Sequence, residues 1–521
     1  MAAPNYTTDL TTINTAEATT GYTEPTGAIA GGIAVAEVDY FIQGTGCISK
    51  TFNATGLGGL HYNNGSGVTI PTDGSYIAWI YYSAPNAVAT EASGGMRLSI
   101  GSGVGDYKSW YVRGSDTYAY GGWICVPVDP TMVADVTTGF PTSTYQYFGY
   151  IVNSTNAVSK GNPFGFDVIR YGRCEARMNG GDLANGYATF AGYSTQNDST
   201  SNRWGLIQAI SGGYQVQGLV VLGYTSAVDF RDSNTTILIA NTKKVSTNFN
   251  TFEVRQATSR VDWTNISFLS LGTVSRGNFI TTDNADINIT GCTFTDMGTF
   301  GFLSNGTTLT STFRRCNLVT QNSAVFTSCT FDSTNDSVKT ILSNNPAAIS
   351  NCSFISSGTK HAIEISTIGA YTFSGNTFSG YAATDGNTGN EAIYNNSGGA
   401  VTLNITTGGG TPTVRNGTSA STTVNNAVTI TITVKDEAGS NVQNARVAVY
   451  KSSDMTELMN SLTNGSGVAT TSVNYVSDIP AIIRVRKSSA TPKYVAVNTS
   501  GTIISTGLTA TITFVADAIA A

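Results

Sequence analysis

The chain has 521 residues and a net charge of −6, from 27 Lys and Arg against 33 Asp and Glu. Only 12% of its residues are charged, against about 25% in an ordinary soluble chain, and an acid excess without any basic run argues against a nucleic-acid partner. Segments rich in Leu, Ala, Glu and Lys are lacking while Thr, Val, Ile, Tyr and Phe abound, which argues against helices and for an all-β chain of two to four domains.

Residues 1–26 are polar, Thr-rich and without hydrophobic periodicity, and are expected to form an extended N-terminal arm, either a loose terminus or a segment that orders on docking. "MAAPNYTTDLTTINT" has neither the basic nor the apolar region of a secretory leader. "GAIAGGIAVA" (27–36) is too short to span a bilayer. The chain is therefore expected to be made in a cytoplasm with reduced cysteines, without membrane insertion.

Residues 27–160 carry strand-like runs between Gly, Asn and Pro turns: "SYIAWIYYS" (75–83), "MRLSIGS" (96–102), "KSWYVRG" (108–114), "GWICVPV" (122–128) and "YQYFGYIV" (145–152). They predict an antiparallel β-sandwich of the jelly-roll or lectin-like kind. It is crowded with aromatic residues. Trp110, Tyr111, Tyr118 and Tyr120 are candidates for stacking on glycans or other surfaces; the alternative is that such residues fill the core.

Residues 161–410 contain a repeat, apolar-x-x-Cys-x-apolar. Ile289, Cys292 and Phe294 form one set; Phe313, Cys316 and Leu318 the next; then Phe326, Cys329 and Phe331; then Ile349, Cys352 and Phe354. Trp263, Ile266, Phe268 and Phe373, Asn376, Phe378 keep the spacing with Ile or Asn in the Cys position. The residue before that position is Asn265, Gly291, Arg315, Ser328, Asn351 or Gly375, often a type that accepts a left-handed backbone cheaply. Successive positions are 26, 24, 13, 23 and 24 residues apart. This predicts a parallel β-helix, each set being a strand end, a sharp bend and the start of the next strand. The 13-residue interval is either a short coil or the motif on another face. Cys292, Cys316, Cys329 and Cys352 are expected to stack as buried thiols from coil to coil. A disulfide or a metal site are the alternatives, weakened by the odd cysteine total of seven, by parallel Cβ vectors and by the isolation of His61 and His361.

Glycoside hydrolysis on such a solenoid would need two paired carboxylates. Asp283 with Asp286 sits in a turn, and Asp332 with Asp336 in a solvated loop. His361 and Glu364 are three apart, which in a regular strand sends them to opposite faces. No catalytic residue, metal ligand or cofactor-binding residue is assigned. Beyond a Gly/Thr/Pro linker (406–421), residues 411–521 alternate through "AVTITITVKD", "NARVAVY", "VATTSVNYV", "AIIRVRK", "KYVAV" and "TATITFVA", about seven strands in all, as in an Ig-like or prealbumin-like sandwich.

The coil signature "ISNCSFISSG…AIEIS…YTFSGNTFSG" resembles the pectate-lyase-like right-handed β-helices common in phage tailspikes. "TVKDEAGSNVQNARVAVYKSSD…TNGSGVATTSVNY…IRVRKSS" resembles the Ig-like, carboxypeptidase-regulatory-like modules of virion proteins. Together they resemble structural proteins of tailed bacteriophages. The resemblance implies a non-enzymatic protein of the virion surface (spike, fibre or capsid decoration), made in the host cytoplasm and released by lysis. Its arm or sandwich would attach to capsid or tail proteins, the β-helix would be a stiff shaft, and the Ig-like module would hold weakly to cell-surface glycans, with three chains acting together as a homotrimer. The lyases' catalytic residues find no match here. Two alternatives are a tailspike polysaccharide depolymerase and a purely architectural protein that stiffens the capsid.

Overall fold

The computed structural model describes residues 1–28, 32–72, 74–83, 87–113, 122–155, 164–195, 206–239, 251–271, 277–282, 284–302, 306–332, 339–384, 389–406, 409–475, 478–487, 489 and 491–517. They are nearly all β, and among them the one α-helix is the five-residue Phe190–Ser194. The chain divides into two compact units, Met1–Gly306 with Arg314–Asn317, and Thr307–Phe313 with Leu318–Ala521.

The first unit opens with an antiparallel sandwich. One sheet runs in the order Gly122–Val128, Ser75–Tyr82, Phe164–Gly172, Cys47–Lys50, Ala34–Glu37. The facing one runs Val136–Thr138, Asp106–Arg113, Met96–Gly103, Thr144–Ser154, Gly56–Thr69, Tyr22–Thr23. Strand alternation sends Tyr76, Ala78, Ile80 and Tyr82 inward, where they join Leu98, Ile100, Trp110, Phe148, Tyr150, Phe164 and Phe166 in one buried cluster. The all-β sandwich is as expected. Its strands lie on both sides of the 27–160 bounds, because Phe164–Gly172 completes the first sheet and Thr11–Asn14 pairs onto it.

Asn5–Thr8, Thr11–Asn14 and Tyr22–Thr23 are strands, but they are bound to their own chain rather than held ready for another. Asn5–Thr8 pairs antiparallel with Glu175–Asn179, the first solenoid strand, and so covers an edge that would otherwise invite pairing. Tyr6 is buried edge-on against Tyr193. The Asp9 carboxylate accepts from the backbone N–H groups of Arg173 and Glu175, and Ala16 has no exposed surface. The missing periodicity misled because a few well-spaced anchors suffice when the backbone supplies the ladder.

The remainder of the first unit is the start of a parallel solenoid. Glu175–Asn179, Leu219–Leu222, Thr251–Val254 and Asn278–Thr281 form one wall, Asp229–Ser233, Arg260–Thr264 and Asp286–Thr290 a second, and Gly213–Val216, Thr236–Ile239, Ser267–Ser270 and Thr293–Thr295 a third. The second unit repeats the plan. Val319–Gln321, Lys339–Ser343, His361–Ile365, Ile393–Asn395 and Val414–Asn416 make one wall, and Phe331, Phe354 and Phe378 stack on another at centroid distances of 5.0 and 5.3 Å.

The corner between the second and third walls explains the cysteines. Asn234, Asn265 and Gly291 hold φ near 52, 54 and 64° in the first unit, and Thr310, Ser328, Asn351 and Gly375 hold 47, 56, 54 and 64° in the second. Each is followed by the stacked position: Thr235, Ile266 and Cys292, then Ser311, Cys329, Cys352 and Asn376. Thr330, Ser353 and Thr377 donate in turn to the carbonyls of Ser311, Cys329 and Cys352 at 2.8–2.9 Å. The side chain in that position donates to a carbonyl at the strand end of the preceding coil. Cys329 Sγ donates to Thr308 O at 3.3 Å, Cys352 Sγ to Phe326 O at 3.7 Å, and Asn376 Nδ2 to Ile349 O at 2.7 Å.

Cys316 does not belong to this stack. It follows Arg315, also left-handed at φ 48°, at a different corner, where Met297 precedes it by one coil and Asn317 N donates to Met297 O at 3.1 Å. The position assigned to it is filled by Ser311, which restores intervals of 18, 23 and 24 residues along the second unit. Of the two readings of the 13-residue interval, the other-face one holds. All seven cysteines are free and buried, so none is expected to react with iodoacetamide in the native chain and all seven in denaturant, by intact-mass measurement.

The last coil runs straight into the C-terminal sandwich. Ser421–Asp436 is a single strand whose first half pairs parallel with Ala400–Ile405 of the solenoid and whose second half pairs with Val468–Asn474 and Leu508–Phe514. The described part of the 406–421 segment therefore includes solenoid strand rather than free linker. Asn426 sits at the changeover, fully buried, bonded through Nδ2 to Thr411 Oγ1 at 2.7 Å. The sandwich's second sheet runs Glu457–Leu462, Arg446–Lys451, Ile479–Lys487, Tyr494–Ile503.

Candidate functional site

Trp110 is not a surface contact. It has no exposed area, lies in the sandwich core, and donates its indole N–H to Val133 O at 3.1 Å. Its place in Asp106–Arg113 gives it the inward parity of that strand. Tyr111, on the opposite parity, is half-buried beneath the Arg97 guanidinium at 5.7 Å. Tyr118 and Tyr120 lie outside the described residues, as do Asp283 and Asp336.

The solenoid's acids are largely matched by its own bases. In the first unit Asp229, Arg260 and Asp286 occupy one row across three coils, and Arg231, Asp262 and Asn288 the row beside it. Signs alternate in both directions. Arg231 reaches Asp229 at 2.8 Å and Asp262 at 3.4 Å, Arg260 reaches Asp262 at 2.9 Å, and Asn288 donates to both Asp262 and Asp286. On the neighbouring wall Arg177 and Arg255 share Glu175, at 2.8 and 3.0 Å, while the Arg177 guanidinium lies 4.0 Å over Tyr224.

The second unit holds the most concentrated acid–base group, around His361 and Glu364. These two were expected on opposite faces, but regular alternation fails between them. Ala362 N and Ile363 N both donate to Ala392 O, at 2.9 and 3.1 Å, so two residues of one strand face one of the next. The His361 ring then stacks on Tyr394 at 4.8 Å, and Tyr394 is the direct cross-strand neighbour of Glu364. Glu364 is bonded to Lys339 Nζ and Asn396 Nδ2, each at 2.9 Å. Arg415, the next residue along the row, lies 5.4 Å over the Tyr394 ring.

His361 Nδ1 lies 2.8 Å from Glu391 O, so it carries the proton and Nε2 keeps its lone pair. Among the described residues, that Nε2 and both carboxylate oxygens of the fully buried Glu391 have no hydrogen-bond partner. Burial holds the His361 imidazole below its ordinary pKa, against the pull of Glu391. The group presents a neutral imidazole, a phenol and an exposed guanidinium along one strip, with a buried carboxylate behind. Among the described residues no three His, Cys, Asp or Glu side chains are placed to hold a metal ion, and no helix is long and apolar enough to cross a membrane.

The chain matches no protein-family model and no curated protein.

Proposed function

We propose that this chain is a non-enzymatic surface protein of a tailed-phage particle, in which the solenoid spaces an adhesive C-terminal module from the particle and contacts to cell-surface glycans are weak and many. Three copies acting together would give such contacts useful strength. With the N-terminal segment taken up by its own chain, attachment to capsid or tail falls to the sandwich surface. The observation that carries the non-catalytic part is the pairing of solenoid acids with solenoid bases: Glu175, Asp229, Asp262, Asp296 and Glu364 each meet an Arg or Lys at 2.7–2.9 Å. Acids spent in this way stiffen a wall and are poorly disposed to shuttle protons. Gold-labelled antibody against the chain is expected to decorate intact particles purified from the lysate that contains it; particles free of label and of the chain would overturn the reading.

A second reading, a polysaccharide depolymerase, is favoured by one feature, the buried Glu391 beside His361, whose carboxylate has no hydrogen-bond partner among the described residues. A buried carboxylate without partners costs stability, and such strain is retained where it serves function. Glu391→Gln is expected to raise the unfolding free energy by about 1–3 kcal/mol in urea titrations. On the non-enzymatic reading, wild type and variant alike release no reducing ends from host polysaccharide; release by wild type that the variant loses would establish the depolymerase.

A further inference from the structure

The outer face of the C-terminal sandwich carries an arrangement that folding alone does not favour. Arg446 of Arg446–Lys451 is directly opposite Arg486 of Ile479–Lys487, and Arg484 is two residues along the same face of the same strand. Like charges directly across an antiparallel pair repel. The solenoid's Arg177, Arg231, Arg255, Arg260 and Arg315 are all ion-paired, whereas Arg446, Arg484 and Arg486 are exposed and form no ion pair among the described residues. Arg446 instead donates to Asn460 Oδ1 at 2.7 Å, and the Arg484 guanidinium lies 5.4 Å over Tyr450.

The floor between them is Ala448, whose cross-strand neighbours are Asn460 on one side and Arg484 on the other, with Asn498 next in the row. Three guanidinium forks and two amides thus surround one small residue on a four-stranded surface, with Glu457 at its margin accepting from Asn460 Nδ2 at 3.0 Å, which leaves Asn498 as the free amide among the described residues. Guanidinium groups bind planar oxyanions bidentately, and amides suit neighbouring hydroxyls. We propose that this face binds the carboxylate groups of an acidic polysaccharide. Nucleic acid fits less well, since the positive charge is one compact group rather than a track and the chain as a whole is acidic. The proposal deepens the adhesion reading above, naming the ligand class, and rests on that reading only for where the chain sits.

Binding of the full chain to polygalacturonate, dextran and duplex DNA by biolayer interferometry tests it. Polygalacturonate is expected to bind, more weakly as salt rises, and dextran not to. The triple variant R446S/R484S/R486S is expected to lose at least about tenfold in affinity. Arg446→Glu places opposite charges across the strands, so it is expected to weaken binding while raising the midpoint of thermal unfolding, a pairing that mere misfolding cannot produce. Equal binding to dextran, unchanged binding by the triple variant, or a lowered midpoint in R446E would overturn the proposal; DNA bound as tightly as polygalacturonate would overturn the polysaccharide assignment. A chain that binds polygalacturonate yet is missing from particles keeps this site and loses the particle reading, and the converse result does the opposite.

Discussion

Trp110→Ala lowers the free energy of unfolding by about 3–5 kcal/mol, the range for emptying a large aromatic site in a packed core. The indole has no exposed surface, and its N–H holds the Val133 carbonyl on a loop between strands. Its removal leaves a cavity bounded by the sandwich's inner residues and a carbonyl without its donor. Urea titration followed by tryptophan fluorescence and far-UV circular dichroism measures the loss. A change below about 1 kcal/mol would place Trp110 at the surface instead, since surface substitutions rarely cost more. Tyr111, half-buried on the other parity of the same strand, is the internal control: its replacement costs less.

The second large effect is on pH dependence, where two buried groups oppose each other. Burial pushes His61 down to about 3. It is enclosed beside Ser99 Oγ at 2.6 Å, edge-on to Tyr107, with Nδ1 unpartnered among the described residues. The unfolded chain takes up a proton at this residue below its ordinary value of 6.5 while the native chain stays neutral, so stability is lost as pH falls. Asp167 runs the other way. Burial pushes it up to about 7, despite the Ile42 and Gln43 N–H groups that favour its charged form. The unfolded chain ionises above the usual carboxylate value while the native carboxyl keeps its proton, so stability is lost as pH rises towards 7.

Between about pH 4.5 and about pH 6.5 the two slopes have opposite signs, each approaching ~1.4 kcal/mol per pH unit. Their sum is nearly flat. His61→Gln leaves the Asp167 slope, so that variant gains stability relative to wild type on acidification. Asp167→Asn leaves the His61 slope and loses stability relative to wild type on acidification. Differences in urea midpoint between each variant and wild type across that window read the two slopes separately. Parallel curves for all three proteins would show that neither group is held as described.

The architecture was legible because it rests on periodicities that side chains impose locally. The runs around 75–83, 96–102, 108–114, 122–128 and 145–152 are all strands, and Asn265, Gly291, Ser328, Asn351 and Gly375 do adopt the left-handed backbone. What escaped was set by register. Thr310, a β-branched residue, holds the same left-handed geometry, so Ser311 gave no signal. Phe313, Cys316 and Leu318 met the spacing rule at the wrong corner. The meeting of His361 with the Glu364–Tyr394 row depends on a shared acceptor, Ala392 O, that alternation does not foresee. "NARVAVY" and "AIIRVRK" read correctly as strands, yet only their pairing brings Arg446 opposite Arg486. Trp110 was ambiguous for a simpler reason, that aromatic residues suit cores and sugar-binding faces equally.

The solenoid's acid–base groups, Glu364 and His361 among them, sit on the coil geometry that stacks Cys329 under Cys352. Anomalous scattering from sulfur in a crystal of the chain locates those atoms without reference to any assumed fold. The account predicts the Cys329 and Cys352 sulfurs one strand spacing apart, about 4.8 Å, unbonded to each other. Sulfurs of Cys329 and Cys352 far apart, or joined in a disulfide, would contradict it.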